Sequence, residues 1–244
     1  MLDDTRKALA PTQAEINALP MSSNGKMARE LIGERKGRAL DIGCGEGKFT
    51  RGLASHIAEV SGIDVKANKI AEAREAARRS GVAVDFQVGS GEAIPSADAS
   101  FEVVAFFNSL HHMPRPGDAL REAARVLTPG GLLYVMEPVP AGNYHEATKL
   151  VNDETVVRTE AYREMARLPG VGMTSLHEIM YRSRREVADF EEWRADQLDR
   201  DIKRKARFDA QPDLVRKTFE SSADHVNGKL AFDQVFRVNV LRKG

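Results

Sequence analysis

The stretch Leu40-Asp41-Ile42-Gly43-Cys44-Gly45-Glu46-Gly47 joins a short apolar run to a helical pattern. Glycines at a strand-to-helix junction let the backbone turn sharply and come close to a ligand with no Cβ in the way, while the helix start offers unpaired N–H groups. Something small and polar suits that geometry; a tight turn holding no ligand is the other reading. A dinucleotide fingerprint asks for Gly-x-Gly-x-x-Gly, but Lys48 stands where its last glycine belongs and Gly47 comes one residue early, which argues against a pyrophosphate at this helix start. Asp64 ends the next apolar run, where a carboxylate accepts hydrogen bonds from two vicinal ribose hydroxyls or caps the helix that follows. His111-His112 come just after the fourth apolar run, so that one of them takes a proton from a substrate, or both cap a helix and pack under the sheet. Cys44 has no sequence neighbour that would lower its thiol pKa, which assigns it a packing or backbone role. Trp193 and Phe190 with Arg182, Arg184 and Arg185 form either a substrate wall or a solvated amphipathic helix. No metal site is expected, because His56, His145, His177 and His225 lack the paired spacing of zinc ligands.

These residues need elements to position them. Ser23-Asn24 caps a lead-in helix carrying Met27, Ala28, Leu31 and Ile32. Strands are expected over 39–42, 60–64, 82–88, 101–107 and 132–137, the last after the turn Thr128-Pro129-Gly130-Gly131. Helices are expected between them: one through Phe49, Leu53 and Ile57, then 67–79 and 119–127. This alternation predicts an α/β fold, a Rossmann-like doubly wound sheet that binds ligands at the carboxyl ends of its strands. After Pro138 the rhythm breaks into a helix over 153–168 ended by Pro169-Gly170, a sixth strand over 173–181 and a long charged helical stretch over 185–224. Residues 236–241 alternate as a final strand, expected at an antiparallel edge. The expected organisation is a lead-in helix over 1–36, a ligand-binding domain over 37–139 and 226–244, and a helical lid or substrate region over 140–225.

Several motifs occur in order: Leu40 to Gly47, Gly62-Ile63-Asp64, Gly89 to Pro95, Ser100 to Val104, Leu110-His111-His112, and Arg125 to Gly131. From about Arg38 to Pro138 the chain resembles the class I S-adenosylmethionine-dependent methyltransferases, especially small-molecule enzymes with the ubiquinone/menaquinone C-methyltransferase type of domain. The resemblance implies a mostly parallel seven-stranded sheet with an antiparallel edge strand, and S-adenosyl-L-methionine as cofactor. It also implies that Asp41 and the backbone of Gly43, Cys44 and Gly45 surround the methionine part of the cofactor. Asp64 would meet the ribose, Val65 the adenine face, Ser90-Gly91-Glu92 the adenine edge, and Asn108-Ser109 would offer carbonyls to the ammonium. His111 is then the candidate general base. The chain departs from the family at Ser90, where an aspartate is common, and at Glu102. Methyl transfer to a small-molecule acceptor by in-line displacement is the implied reaction, with 140–225 closing over the acceptor. A cofactor-binding protein without catalysis and a nicotinamide-dependent oxidoreductase stay open.

Composition bounds the partners. In 244 residues, 36 Lys and Arg balance 36 Asp and Glu, so no global field draws the chain to nucleic acid or anionic lipid. After the run over 101–107 the chain reads Asn108-Ser109-Leu110-His111, without the Asn-Pro-Pro-aromatic signature of nucleobase amine methylation, which also disfavours nucleic acid. One cysteine excludes an intramolecular disulfide, no basic and apolar leader opens the sequence, and no apolar run approaches membrane-span length; a reducing cytoplasm is the expected setting.

Overall fold

A computed structural model describes residues 11–244 of the chain. Eight strands share one sheet: β1 Arg35–Ile42, β2 Ile57–Asp64, β3 Asp85–Val88, β4 Phe101–Phe107, β5 Leu127–Pro138, β6 Met173–Val187, β7 Asp224–Val226 and β8 Lys229–Lys243. Their order is β3-β2-β1-β4-β5-β8-β6, with β7 pairing β8. The pairs β1–β2, β1–β4, β2–β3 and β4–β5 are parallel, and β7–β8 is antiparallel. This is the expected Rossmann-like α/β sheet, with eight strands where seven are expected, the short β7 being the one off the main path. The final strand itself lies between β5 and β6 in that order.

The chain divides into two compact units, the larger comprising 23–137, 157–179 and 237–244 and the smaller the remainder. In the larger unit, β1 and β4 are buried because every second apolar residue faces helices on each side of the sheet: Leu40, Ile42, Val104 and Phe106 pack with Leu120, Ala123 and Leu133. Ser23 caps the lead-in helix Asn24–Ile32 by accepting from the Lys26 N–H, and Met27, Ala28 and Ile32 are its buried stripe. Helices Ala67–Ser80 and Pro116–Val126 follow β2 and precede β5; the second starts earlier than its apolar pattern because Pro116 is preorganised for a first turn. Thr128 to Gly131 leaves the ladder as expected: Phe101 pairs with Leu127 and Val103 with Leu132, and Gly130 adopts φ 76°.

Four expectations need correction. Ile57 opens β2 and is not helical: the helix Lys48–Leu53 stops at a turn in which the His56 N–H bonds the Leu53 carbonyl. The segment 157–179 belongs to the larger unit, so the span 140–225 is not one piece; Ala161, Met165, Leu168 and Met173 join the core around β4 and β5. The stretch 185–224 is not one helix. β6 runs through Val187, and Phe190–Arg200, Lys205–Ala210 and Pro212–Ser222 are separate helices, the first capped by Asp189 and the last opened by Pro212. Trp193 and Phe190 are no wall: within the smaller unit they pack against Phe208, Phe219 and Phe232, with Trp193 stacked 4.6 Å from Phe219. Arg182 and Arg184 both pair with the buried Asp233, at 2.8 and 2.9 Å.

Packing around the glycine loop generates a stability test. Gly47 holds φ 70°, and a Cβ there would strike the Phe86 ring and come within 3.1 Å of Ala73 Cβ, whereas one on Gly52 would meet nothing within 4 Å. Gly47→Ala is expected to cost about 2–3 kcal/mol and Gly52→Ala to be neutral or slightly stabilising, read from urea unfolding midpoints. Equal effects would mean that the loop yields without strain.

Candidate functional site

The ends of β1, β4 and β5 bring together most of the singled-out residues. Asp41 lies near the carboxyl end of β1, opposite Gly62 on one neighbour and Ala105 on the other. It is buried, with 1 % of its surface exposed. Thr50 Oγ1 donates to its Oδ2 at 2.7 Å, while Oδ1 has no partner among the described residues. Burial, reinforced by the Asp64 charge and opposed by the Thr50 bond, pushes the Asp41 carboxyl up to about 7. A buried acceptor without a donor suits an ammonium or other N–H group of a ligand.

The loop that follows is fixed by its backbone. The Gly43 and Cys44 N–H groups both donate to the Ile63 carbonyl, at 2.8 and 3.0 Å, and Gly43 and Gly45 hold positive φ. Gly45 faces open space, and its N–H donates to Asp64 Oδ2 at 3.0 Å. Asp64 Oδ1 accepts from the Lys66 N–H at 2.8 Å, so this carboxylate ties the loop to the end of β2. Val65, the next residue, is 63 % exposed, an apolar side chain standing in solvent at the strand end. The Cys44 side chain packs beside Phe86, and burial, with Asp41 and Asp64 adding to it, pushes its thiol above the usual range. That is the opposite of nucleophile activation.

Ser90, Gly91 and Glu92 form a closed turn beyond β3. Ser90 Oγ donates to Glu92 Oε2 at 2.8 Å and accepts from the Glu92 N–H, while Glu92 Oε1 accepts from the Arg115 N–H. Gly91 is required there, since a Cβ would lie 2.8 Å from an Ile42 methyl.

After β4, Asn108 takes φ 55°, a left-handed conformation that asparagine tolerates better than most residues. The chain then forms a 3-10 turn over Leu110–His112. Ser109 Oγ donates to the Ile42 carbonyl at 2.6 Å, fastening this turn to the glycine loop. Glu137 near the end of β5 gathers the rest: its Oε1 accepts from the Ser109 and Leu110 N–H groups at 3.1 and 2.7 Å, and its Oε2 contacts His111 Nδ1. His111 is buried. With the Glu137 carboxylate as acceptor, Nδ1 is the donor nitrogen, which in a neutral ring places the lone pair on Nε2.

Thus Asp41, Gly43, Cys44, Gly45, Asp64 and Val65 line one loop system, and Asn108 and His111 sit on the turn bonded to it. Ser90, Gly91 and Glu92 border it through Gly91. Sequence reasoning missed Glu137 as the partner of His111 and Thr50 as the partner of Asp41. The one signal for Glu137 is an acid closing the apolar run from Leu132 to Met136.

Residues 40–135 match the family model described as "Methyltransferase domain". The 27-O-demethylrifamycin SV methyltransferase of Amycolatopsis mediterranei is 38% identical over 120 residues, covering 46% of this chain and 44% of that protein. A ubiquinone biosynthesis O-methyltransferase of an Azoarcus species is 38% identical over 98 residues, covering 40% of this chain and 42% of its own length. The matched parts thus span less than half of these relatives. A crystal structure titled as a candidate methyltransferase from Bacillus halodurans superposes with a TM-score of 0.67 at 18% identity, over 91% of this chain and 99% of the other, which speaks to fold alone. Among the described residues, no helix is long and apolar enough to cross a membrane.

The raised Asp41 pKa gives a signed test. An unfolded aspartate ionises near 3.8 and the folded one near 7, so the folded protein loses stability as pH rises between those values and carries the full penalty above 7. Asp41→Asn is therefore expected to raise the thermal midpoint at pH 8 by about 5 °C or more, with the gain shrinking to nothing as pH falls toward 4. A gain independent of pH, or a loss at pH 8, would show that Asp41 is not held at such a cost.

Proposed function

We propose that this chain, whose residues 40–135 match the methyltransferase-domain model, transfers a methyl group from S-adenosyl-L-methionine to a hydroxyl group of a small-molecule acceptor, with His111 as general base. The observation that carries the reading is Glu137: one carboxylate holds His111 by Nδ1 and fixes the turn bearing it, next to the glycine loop. A neutral amine or a thiolate attacks without such a base, whereas a hydroxyl is a weak nucleophile until its proton is taken. The two relatives described above methylate, by their names, as a 27-O-demethylrifamycin and a ubiquinone-pathway O-methyltransferase, in line with an oxygen acceptor.

The residues fit the cofactor. Asp41 Oδ1 would accept from the ammonium, Gly45 leaves room for the methionine chain, Asp64 keeps lone pairs for the ribose hydroxyls, and exposed Val65 offers an apolar face to the purine. The Ser90-Gly91-Glu92 turn would edge the base, and Asn108 would offer its carbonyl. When bound, the cofactor supplies a methyl group already activated on a sulfonium sulfur.

His111 would take the hydroxyl proton at Nε2 as the oxygen bonds to the methyl carbon, so that the methyl replaces the proton on oxygen and neutral S-adenosylhomocysteine is the leaving group. Glu137 keeps the ring oriented through Nδ1 and stabilises the imidazolium that results. The rigid turn from Asn108 to His112, fastened at Ser109 Oγ, sets the direction of approach, which is what in-line displacement demands.

Calorimetry with S-adenosylhomocysteine and with NAD tests the cofactor; binding of the first alone is expected, and NAD binding alone would overturn the reading. Asp64→Ala is expected to weaken S-adenosylhomocysteine by roughly 1–3 kcal/mol, since a charged acceptor for two hydroxyls is lost. Against a panel of phenols and alcohols with labelled methyl donor, His111→Ala should lower turnover by about 10²-fold or more with cofactor affinity nearly unchanged. Full turnover in that variant would assign His111 a structural part.

A further inference from the structure

The smaller unit contains a cluster of hydrogen-bond donors with no acceptors to match. Gln197 is 1 % exposed, on the inward face of the helix Phe190–Arg200. Its Oε1 accepts from the Arg204 guanidinium, and its Nε2 donates to Tyr144 Oη at 3.2 Å. Tyr144 therefore accepts this bond, and among the described residues nothing accepts its own hydroxyl proton. Arg204 is half-buried, and among the described residues the one hydrogen-bond partner of its guanidinium is that neutral amide oxygen. Burial holds the guanidinium below its ordinary pKa, with Arg200 adding to it and Glu154 and Asp201 opposing it without offsetting it.

The neighbouring cations differ in this respect. Arg185, which lies 5.6 Å over the Tyr144 ring, and Arg200 share the carboxylate of Asp196, at 2.7 and 2.9 Å. Yet among the described residues nothing accepts from the buried Arg185 Nε, from Arg204 Nε or from Nε1 of Trp193, which precedes Gln197 by one helical turn. The deficit is one-sided: every unmet group in the cluster is a donor. Buried donors are ordinarily satisfied, and a half-buried arginine without a counter-ion is costly to keep. An arginine and a tyrosine hydroxyl linked through one glutamine amide form a positive, donor-rich patch that an oxyanion complements in both charge and hydrogen bonding.

We propose that Arg204 and Tyr144, positioned by Gln197 and backed by Arg185, form a binding subsite for the carboxylate or phosphate group of a small anionic molecule. The site stands independently of the methyl-transfer reading, since it uses only residues of the smaller unit. Arg204 supplies the charge and Tyr144 a directed O–H donor. Arg185 adds positive field across the tyrosine ring while staying tied to Asp196.

Calorimetric titration of the full chain with sodium benzoate and with inorganic phosphate, at constant ionic strength, tests the assignment. Saturable binding of at least one is expected, and preference between them says which oxyanion the subsite takes. Arg204→Gln and Tyr144→Phe are each expected to weaken that binding at least tenfold, while Arg194→Gln, which removes a cation that stacks on Phe208 from the helix carrying Gln197, leaves it unchanged. Circular dichroism of each variant confirms folding. Tyr144→Phe removes a single hydroxyl, so it reports on the site even if Arg204→Gln loosens the 3-10 turn Ile202–Arg204. Absence of saturable binding of either anion, or binding that survives both substitutions, overturns the proposal.

Discussion

One carboxylate governs the geometry around the site. Glu137 accepts from two consecutive backbone N–H groups and contacts the His111 ring, so the chain leaving β4 is bolted to the end of β5. Charge-assisted bonds of this kind contribute about 1.5–3 kcal/mol each, and a glutamine could not serve both N–H groups and the ring donor as strongly. From there the constraint spreads. Ser109 Oγ reaches the Ile42 carbonyl, so the β1 loop inherits its position from the same turn. Asn108 takes a left-handed conformation because the chain must reverse at once to deliver Ser109 and Leu110 to Glu137.

The glycine loop shows the complementary economy. Its N–H groups are spent on protein acceptors: two on the Ile63 carbonyl and one on Asp64. The polarity it leaves unmet is that of an acceptor, Asp41 Oδ1, buried beside a single threonine donor. A protein optimised for stability alone would not keep a carboxyl there with its pKa near neutrality. The arginine-centred cluster of the smaller unit carries the opposite imbalance, a surplus of donors.

Much of this was legible in the sequence. β4 ran from Phe101 to Phe107 as its unbroken apolar pattern required, and the glycines from 43 to 47 located the loop because only their freedom of φ permits it. The helix capped by Ser23 followed from one hydroxyl and one apolar stripe. What escaped depended on contacts distant in sequence. Ile57 has the spacing of a helix position, and only the stop after Leu53 gives it to β2. Phe190, Trp193 and Phe208 belong to different helices, so that no single periodicity announced their shared core. Glu137 lay in view at the end of an apolar run, but its partner is 26 residues away and no local pattern links the two.

The most direct test is the protonation pattern of the His111 ring. Nitrogen NMR of histidine-labelled protein, at a pH high enough for imidazoles to be neutral, has six rings to resolve, and His111→Ala identifies the relevant one. A proton on Nδ1 and a bare Nε2 is predicted for the native chain, with that preference lost in Glu137→Gln. A proton on Nε2 in the native chain would leave no base facing the acceptor and would contradict the account.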